Sequence, residues 1–280
     1  MRNLGIAVLA ACLVAGAAAC NGGGSRTKAV TSSSSTTAAA GDTATGASTE
    51  TETDQTTGGT AEQSALPVGN MPFEIDPSEF TTKITNPYWP MRPGDHWVFR
   101  EANTDGEVQR VDVVVTNRTK TIMGVDAVVV HDAVRLNGQL TENTYDWYAQ
   151  DAEGNLWYFG EDTAEYENGK LSTREGSWTA GVDGALPGII MPANPEVGMR
   201  YREEYYAGHA EDGAEIIFTN ALAKVPYGRF MHGIQTRNFS GIEPNTIEEK
   251  IYAKGIGVVL EITVSGGSDR SELVSFTHGG

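Results

Sequence analysis

Aromatic and acidic residues are concentrated in two neighbouring segments of the sequence, 145–150 and 155–162. A turn at 151–154 would pair these segments as a β-hairpin, in which successive side chains point to opposite faces. Trp147 and Trp157 then lie on an apolar face. The other face carries tyrosine hydroxyls and carboxylates, a combination typical of ligand pockets. The predicted ligand-binding residues on and beside this second face are Asp146, Tyr148, Tyr158, Glu161 and Asp162.

Two other interpretations of this hairpin remain open. An acidic sheet face exposed to water needs no ligand, because charged side chains are mostly exposed in folded proteins. Paired carboxylates can also act as general acid and base, as in glycosidases, if they converge across a cleft. Cross-strand neighbours lie about 4.5–5.5 Å apart, so under each interpretation we expect Tyr148 and Tyr158 to approach one another.

The motifs of common enzyme classes are missing from the sequence. No Gly-x-Ser-x-Gly elbow occurs, and the only cysteines are Cys12 and Cys20, near the N-terminus. The Gly255-Ile256-Gly257 segment lacks the third glycine of a dinucleotide-binding loop. We therefore predict no catalytic residue, no metal ligand and no cofactor. The histidines lack the spacing typical of zinc ligands; they are His96, His131, His209, His232 and His278.

Cys20 is the residue with the clearest predicted chemistry. The uncharged stretch 4–19 has the length of a signal-peptide core and is short for a membrane span. The three alanines before Cys20 resemble the lipobox of bacterial lipoproteins, which implies cleavage after residue 19 and acylation of the Cys20 thiol. Chains such as palmitate would then anchor the protein to the cell membrane. The alternative is an ordinary secretory signal that leaves Cys20 as an inert thiol.

Composition divides the chain into three parts. The first, 1–19, is the predicted signal peptide. The second, 20–66, begins with the lipidated cysteine and is dominated by Ser, Thr, Ala and Gly. Such a segment buries too little apolar surface to offset the entropy of ordering, so we predict a disordered tether. The third, 67–280, is long enough for a single folded domain with a substantial core.

The net charge restricts the partners of the protein. The sequence holds 37 acidic and 20 basic residues, for a formal net charge of −17. A strongly acidic surface repels phosphate backbones, so we expect no nucleic-acid partner. Contact with the membrane is expected through the lipid anchor.

Strand and turn patterns predict an all-β fold. Asp105-Gly106, Asn137-Gly138 and Asn168-Gly169 are typical of tight hairpin turns, and β-branched or alternating segments flank them. The best helical candidate is a single turn after Asp76, with Pro77 at its first position. The proline-rich segment 180–196 is predicted to be a long loop. We therefore expect an antiparallel meander curled into a barrel or half-barrel, LolA-like or lipocalin-like, behind the tether.

Several motifs resemble those of a widespread group of secreted bacterial β-proteins and lipoproteins. They occur in the same order over residues 84–276. The resemblance implies an antiparallel sheet curled into a barrel or half-barrel, and it implies no activity. The motifs are PYWPMRPGDHW at 87–97, DWYAQD at 146–151 with GNLWYFGE at 154–161, VPYGRF at 225–230 and YAKGIGVV at 252–259.

Three functions remain open for an extracytoplasmic lipoprotein of this kind. The first is a non-enzymatic binding module for a small amphipathic ligand or an envelope partner, which a deep apolar pocket would favour. The second is a hydrolase or isomerase, which requires Glu161 and Asp162 to converge with a histidine. The third is a structural or cation-binding role in the envelope. The missing catalytic motifs favour the first.

Overall fold

The computed structural model describes residues 66–104 and 106–280. The predicted signal peptide, Cys20 and nearly all of the predicted tether lie outside the described residues. The described chain forms one 3-10 turn, η1 (Pro77–Glu79), and sixteen strands. The strands are β1 (Phe80–Thr81), β2 (His96–Ala102), β3 (Val108–Ile122), β4 (Val125–Leu136), β5 (Gln139–Asp151), β6 (Leu156–Glu167), β7 (Lys170–Thr173), β8 (Trp178–Thr179), β9 (Leu186–Met191), β10 (Arg200–Arg202), β11 (Glu204–Tyr205), β12 (Asp212–Val225), β13 (Gly228–Ser240), β14 (Ile247–Ala253), β15 (Gly257–Ser265) and β16 (Arg270–Thr277).

The strands form one antiparallel sheet that is nearly closed into a barrel. Strands β2 to β6 pair in chain order, as do β12 to β16, and β16 pairs with β2. Three short strands, β9, β10 and β11, lie between the two edges of the sheet. At one edge β10 pairs with β12, and at the other edge β9 pairs with β6 and with β11. The all-β prediction is confirmed, including its barrel-like curvature.

Tight turns of the expected type join the long strands. Asn137 and Gly138 have φ angles of 52° and 81°, and Asn168 and Gly169 have φ angles of 51° and 74°. Two successive positive φ angles define the type I′ turn, which matches the twist of the strands it joins. Of the third predicted turn, Gly106 has a φ of 79°, and Asp105 is outside the described residues.

The two ends of the barrel differ. At the end that holds the β5–β6 and β14–β15 turns, a segment before β2 enters the interior and forms a plug. The Trp89 ring lies 5.6 Å from that of Tyr252 and 6.1 Å from that of Tyr148. The Asn86 amide donates to the main-chain carbonyls of Gly154 and Met191, which fixes the plug to the wall. We call this the plugged end and the opposite end the open end.

The outer surface of β5 and β6 is also covered. The Trp157 ring, which points outward, lies 4.9 Å from Phe73 and 5.8 Å from Phe80. Phe80 follows η1, whose first turn is capped by Asp76 accepting from the Ser78 amide at 2.9 Å, as predicted. Both faces of this hairpin are therefore buried.

The segment 180–196 differs from the predicted long loop because it contains strand β9. Pro187 lies in this strand, where its carbonyl accepts a hydrogen bond from the Arg202 guanidinium at 3.0 Å. A β-carbon at Gly188 would overlap the carbonyl oxygen of Glu203, so only glycine allows this close approach. Proline and glycine normally weaken strands. A strand forms here because β9 pairs with β6 and with β11 as the barrel closes, and the local sequence does not indicate these pairings.

The outer packing of β6 leads to a stability prediction. Trp157→Ala removes a large buried side chain and should lower the free energy of unfolding by about 3–5 kcal/mol. Urea denaturation measures this change. Leu171→Ala on β7 is the matched control because Leu171 is exposed, and its effect should stay within about 0.5 kcal/mol. Equal losses in the two variants would contradict the burial described above.

Candidate functional site

The predicted Tyr148–Tyr158 pair exists in the structure. The two residues face each other across β5 and β6, and their ring centroids are 5.0 Å apart. The Tyr158 hydroxyl donates to a carboxylate oxygen of Asp146 at 2.9 Å. Asp146 is in turn the direct cross-strand partner of Glu161. These four predicted site residues therefore share the interior face of the barrel.

Asp162 belongs elsewhere. It pairs with Tyr145 on the outer face, its side chain is 52% exposed, and it binds Arg174 at 2.6 Å. Adjacent strand residues point to opposite faces, so the side chain of buried Glu161 and that of exposed Asp162 lie on different sides of the sheet. Both residues line one cavity along β6, but no histidine, which the proposed acid–base mechanism requires, is among its described lining residues. Asp162 was predicted to lie beside the tyrosine face, and the structure places its side chain on the opposite, outer face.

Acidic side chains face the barrel interior between the tyrosines and the open end, and we call them the acidic layer. Cross-strand pairing places Glu261 beside Lys250, and Asp146 beside Glu161, on the inward face. All members are nearly inaccessible to solvent. The acidic layer consists of Glu101, Asp132, Asp146, Glu161, Glu203, Glu248 and Glu261.

The sequence dictates the inward position of these acids through the two-residue period of the strands. On β4, Asp132 occupies the same face as Val130 and Val134. On β15, Glu261 likewise shares a face with Val259 and precedes an inward Thr263. An acid at an apolar position of a strand is the signal that could have identified the acidic layer from sequence.

Asp132 is the least compensated member of the layer. It is 1% exposed, and neither of its carboxylate oxygens has a hydrogen-bond partner within the described part of the chain. Burial, followed by the charges of Glu142 and Asp146, raises its pKa well above the usual range. An isolated buried carboxylate is unfavourable, so this site favours either a proton or an external cation.

The layer contains its own cation on the far wall. The Lys250 ammonium lies 3.9 Å from Glu261, and the Asn238 amide donates to Glu203 at 2.7 Å. Burial lowers the pKa of Lys250, but the charges of Glu261 and Glu203 more than offset burial and raise it overall. Burial raises the pKa of Glu261, Lys250 opposes that shift, and Glu248 adds to it. One ammonium therefore compensates only part of the layer.

Two carboxyls on β5 titrate near neutrality. Burial raises the pKa of Asp146 to about 7, against the hydrogen bond from Tyr158, which lowers it. Burial also raises the pKa of half-buried Glu142 to about 7, with contributions from Glu165 and Asp146. The layer accordingly carries protons in the range where ordinary carboxyls have lost them.

A cavity of about 290 Å³ lies at the open end, among the hairpin turns, and we call it the open-end cavity. Its walls include the aliphatic side chains of Val134, Leu136 and Leu140 and the carboxylates of Glu142 and Glu165. It differs from the expected deep apolar pocket in this mixed polarity. The remaining lining residues are Asn103, Glu107, Gln109, Asn137, Gln139, Thr141, Tyr166, Glu167 and Asn168.

A second cavity of about 310 Å³ lies along the β6 wall, where Glu161 and Asp162 contribute to its lining. Here Lys120 stands over the ring of Trp147, with 3.1 Å between its ammonium nitrogen and the ring centroid. The Trp178 indole, also in the lining, donates to Glu204 at 2.7 Å. The Lys120 ammonium group and the Trp178 indole at this cavity therefore already have interaction partners within the protein.

Within residues 66–104 and 106–280, no three His, Cys, Asp or Glu side chains converge closely enough to hold a metal ion. Over that same stretch, no helix is long and apolar enough to cross a membrane.

Two solved structures are similar in fold. One, from Bacteroides fragilis, is described as an exported protein with a YmcC-like fold; it is 13% identical, with a TM-score of 0.40, and the match covers 69% of this chain and all of that one. The other, from Parabacteroides distasonis, is described as a lipoprotein; it is 10% identical, with a TM-score of 0.39, and the match covers 69% of this chain and 99% of that one. No protein-family model and no curated protein matches the sequence.

The raised carboxyl pKa values predict a stability that depends on pH. The folded protein keeps the Asp146 proton up to about pH 7, whereas the unfolded chain loses it near pH 4. The stabilisation from this proton is therefore complete below about pH 4 and is lost as the pH rises through about 7. Asp146→Asn should raise the thermal midpoint at about pH 8 by about 2 °C or more.

The same substitution should change the midpoint little at about pH 4, where the native carboxyl is already protonated. Differential scanning calorimetry at the two pH values measures both shifts. Asp126→Asn, at an exposed position on β4, is the control and should shift neither midpoint. An Asp146→Asn protein that is destabilised at the higher pH would show that the ionised carboxylate stabilises the fold.

Proposed function

We propose that the protein is an extracytoplasmic lipoprotein, anchored to the bacterial cell membrane by acylated Cys20, whose barrel is a non-enzymatic binding module for a small amphipathic ligand. The observation that carries the binding role is the open-end cavity. Aliphatic side chains line one part of it and carboxylates another, which suits a ligand with an apolar body and a polar end.

The proposal also accounts for the filled plugged end. Trp89 and the two stacked tyrosines occupy the interior there, so the ligand would enter between the turns of the open end. The strands of the barrel would form rigid walls, and the hairpin turns would provide both apolar and polar side chains for contact with the ligand. In this proposal the tether holds the module at the membrane surface, where amphipathic molecules are abundant.

Native mass spectrometry of the full chain purified from its own host tests the binding role. A small molecule should remain bound to the native protein and be lost from Leu140→Trp, because the larger side chain fills the open-end cavity. Leu171→Trp adds the same indole at an exposed position on β7 and should retain the molecule. Retention of the same molecule by both variants would place its site outside this cavity.

The anchor is tested separately by Cys20→Ser. Without the thiol, no acyl chain can be attached, so the variant should either appear in the soluble exported fraction or accumulate unprocessed. Cell fractionation and immunoblotting measure this outcome. The Cys12→Ser variant is the control and should remain with the membrane. A Cys20→Ser protein that is cleaved normally and stays membrane-bound would contradict the anchor.

A further inference from the structure

The buried carboxylate beneath the open-end cavity restricts the chemical class of ligand that the cavity can bind. The cavity wall includes Val134 and Glu142. Asp132 precedes Val134 by two residues on the same face of β4, so it lies about 7 Å further into the barrel. Asp132 is 1% exposed and its carboxylate has no hydrogen-bond partner among the described residues. Asp132 is not itself in the cavity lining; it is the next inward residue of β4 below Val134. A cavity that lies above an uncompensated carboxylate is suited to a cation.

We propose that the open-end cavity binds an aliphatic amine, with its ammonium group directed toward Asp132 and its hydrocarbon chain against Val134, Leu136 and Leu140. This inference rests on the proposed binding function and specifies the chemistry of the polar end of the ligand. Glu142 and Glu165 in the cavity wall would accept hydrogen bonds from the ammonium group.

The observations favour an organic cation over a metal ion. A metal ion needs several ligands at about 2.0–2.6 Å, and no three suitable side chains converge within the part of the chain that the structure describes. An ammonium group is satisfied by one or two carboxylates and tolerates the wider spacing. The aliphatic side chains in the wall also offer a surface that a hydrated metal ion cannot use.

The charge of the site excludes an anionic head group. Glu142 and Glu165 line the cavity, and the acidic layer lies below it. Lys250 lies 3.9 Å from Glu261 and is held within the layer. At about pH 8, above the pKa of about 7 of Glu142, an anion in the cavity would therefore face a like charge in a poorly hydrated site, where repulsion is strong.

The test compares two probes with the same chain and opposite charge. Octylammonium and octanoate are titrated into the full chain at about pH 8 and low salt by isothermal calorimetry, with calcium chloride as a third probe. Octylammonium should bind at one site and at least about tenfold more tightly than octanoate. Calcium should neither bind at this site nor compete with octylammonium.

Variants locate the site. Asp132→Asn keeps the shape of the side chain but cannot ionise to pair with an ammonium group, so it should weaken octylammonium binding about tenfold or more without loss of thermal stability. Asp126→Asn, on the same strand but exposed, should bind octylammonium as the native protein does. Glu142→Gln, in the cavity wall, is the second variant and should also weaken binding; it provides the test if Asp132→Asn does not fold.

The outcomes separate this inference from the function on which it rests. Equal binding of octylammonium and octanoate, or an Asp132→Asn protein with unchanged preference, would overturn the amine assignment and leave an amphipathic binding module. Binding of calcium in competition with octylammonium would also overturn it. If neither chain-bearing probe binds and the protein from its host carries no ligand, both the inference and the proposed function fail.

Discussion

The structure depends on how a closed sheet accommodates carboxylates in its interior. Alternation along each strand forces every second residue inward, and in this barrel those positions include Asp132 and Glu261 among valines. Removing a charge from water costs several kcal/mol unless partners compensate it. The protein compensates Glu203 through Asn238 and Asp146 through Tyr158. It supplies no hydrogen-bond donor for Asp132 within the described residues.

This constraint explains the unequal ends of the barrel. The plugged end provides the hydrophobic stabilisation: Trp89, Tyr148 and Tyr252 pack together, and their burial offsets the cost of charges elsewhere. The open end instead holds a cavity whose walls combine aliphatic side chains with carboxylates. This arrangement suits ligand binding, because the packed plugged end holds the barrel walls in place. At the open end, Asp132 has no hydrogen-bond partner among the described residues. A cationic ligand would give the Asp132 carboxylate a partner of opposite charge, which the described part of the fold does not provide.

Local signals predicted the hairpins well, and long-range packing explains what they missed. Asn137-Gly138 and Asn168-Gly169 identify their turns, and alternation places Tyr148 opposite Tyr158. The sequence does not indicate that Phe73 and Phe80 cover Trp157, because those residues are more than seventy positions away. Of the candidate site, Asp146 was predicted to share one face with the two tyrosines, with Glu161 and Asp162 beside that face. The structure places Asp146 and Glu161 on the interior face and Asp162 on the outer face.

The rest of the acidic layer was missed because its members come from strands scattered along the chain. Glu101 and Glu261 meet at a common neighbour, Ser271, only after β16 pairs with both β2 and β15. No sequence motif indicates that Glu101 and Glu261 come together in this way. An inward acid can be suspected from the valines around Asp132, but only the closed sheet shows that several such acids face one interior.

Carbon-13 NMR titration of the aspartate side-chain carboxyls tests this account most directly. Asp146 should titrate near pH 7, and Asp132 well above the ordinary aspartate range. Titration of Asp132 and Asp146 near pH 4, the ordinary value for an aspartate, would contradict the account, because it would mean that the barrel interior is hydrated and that its carboxylates are not in need of a cation.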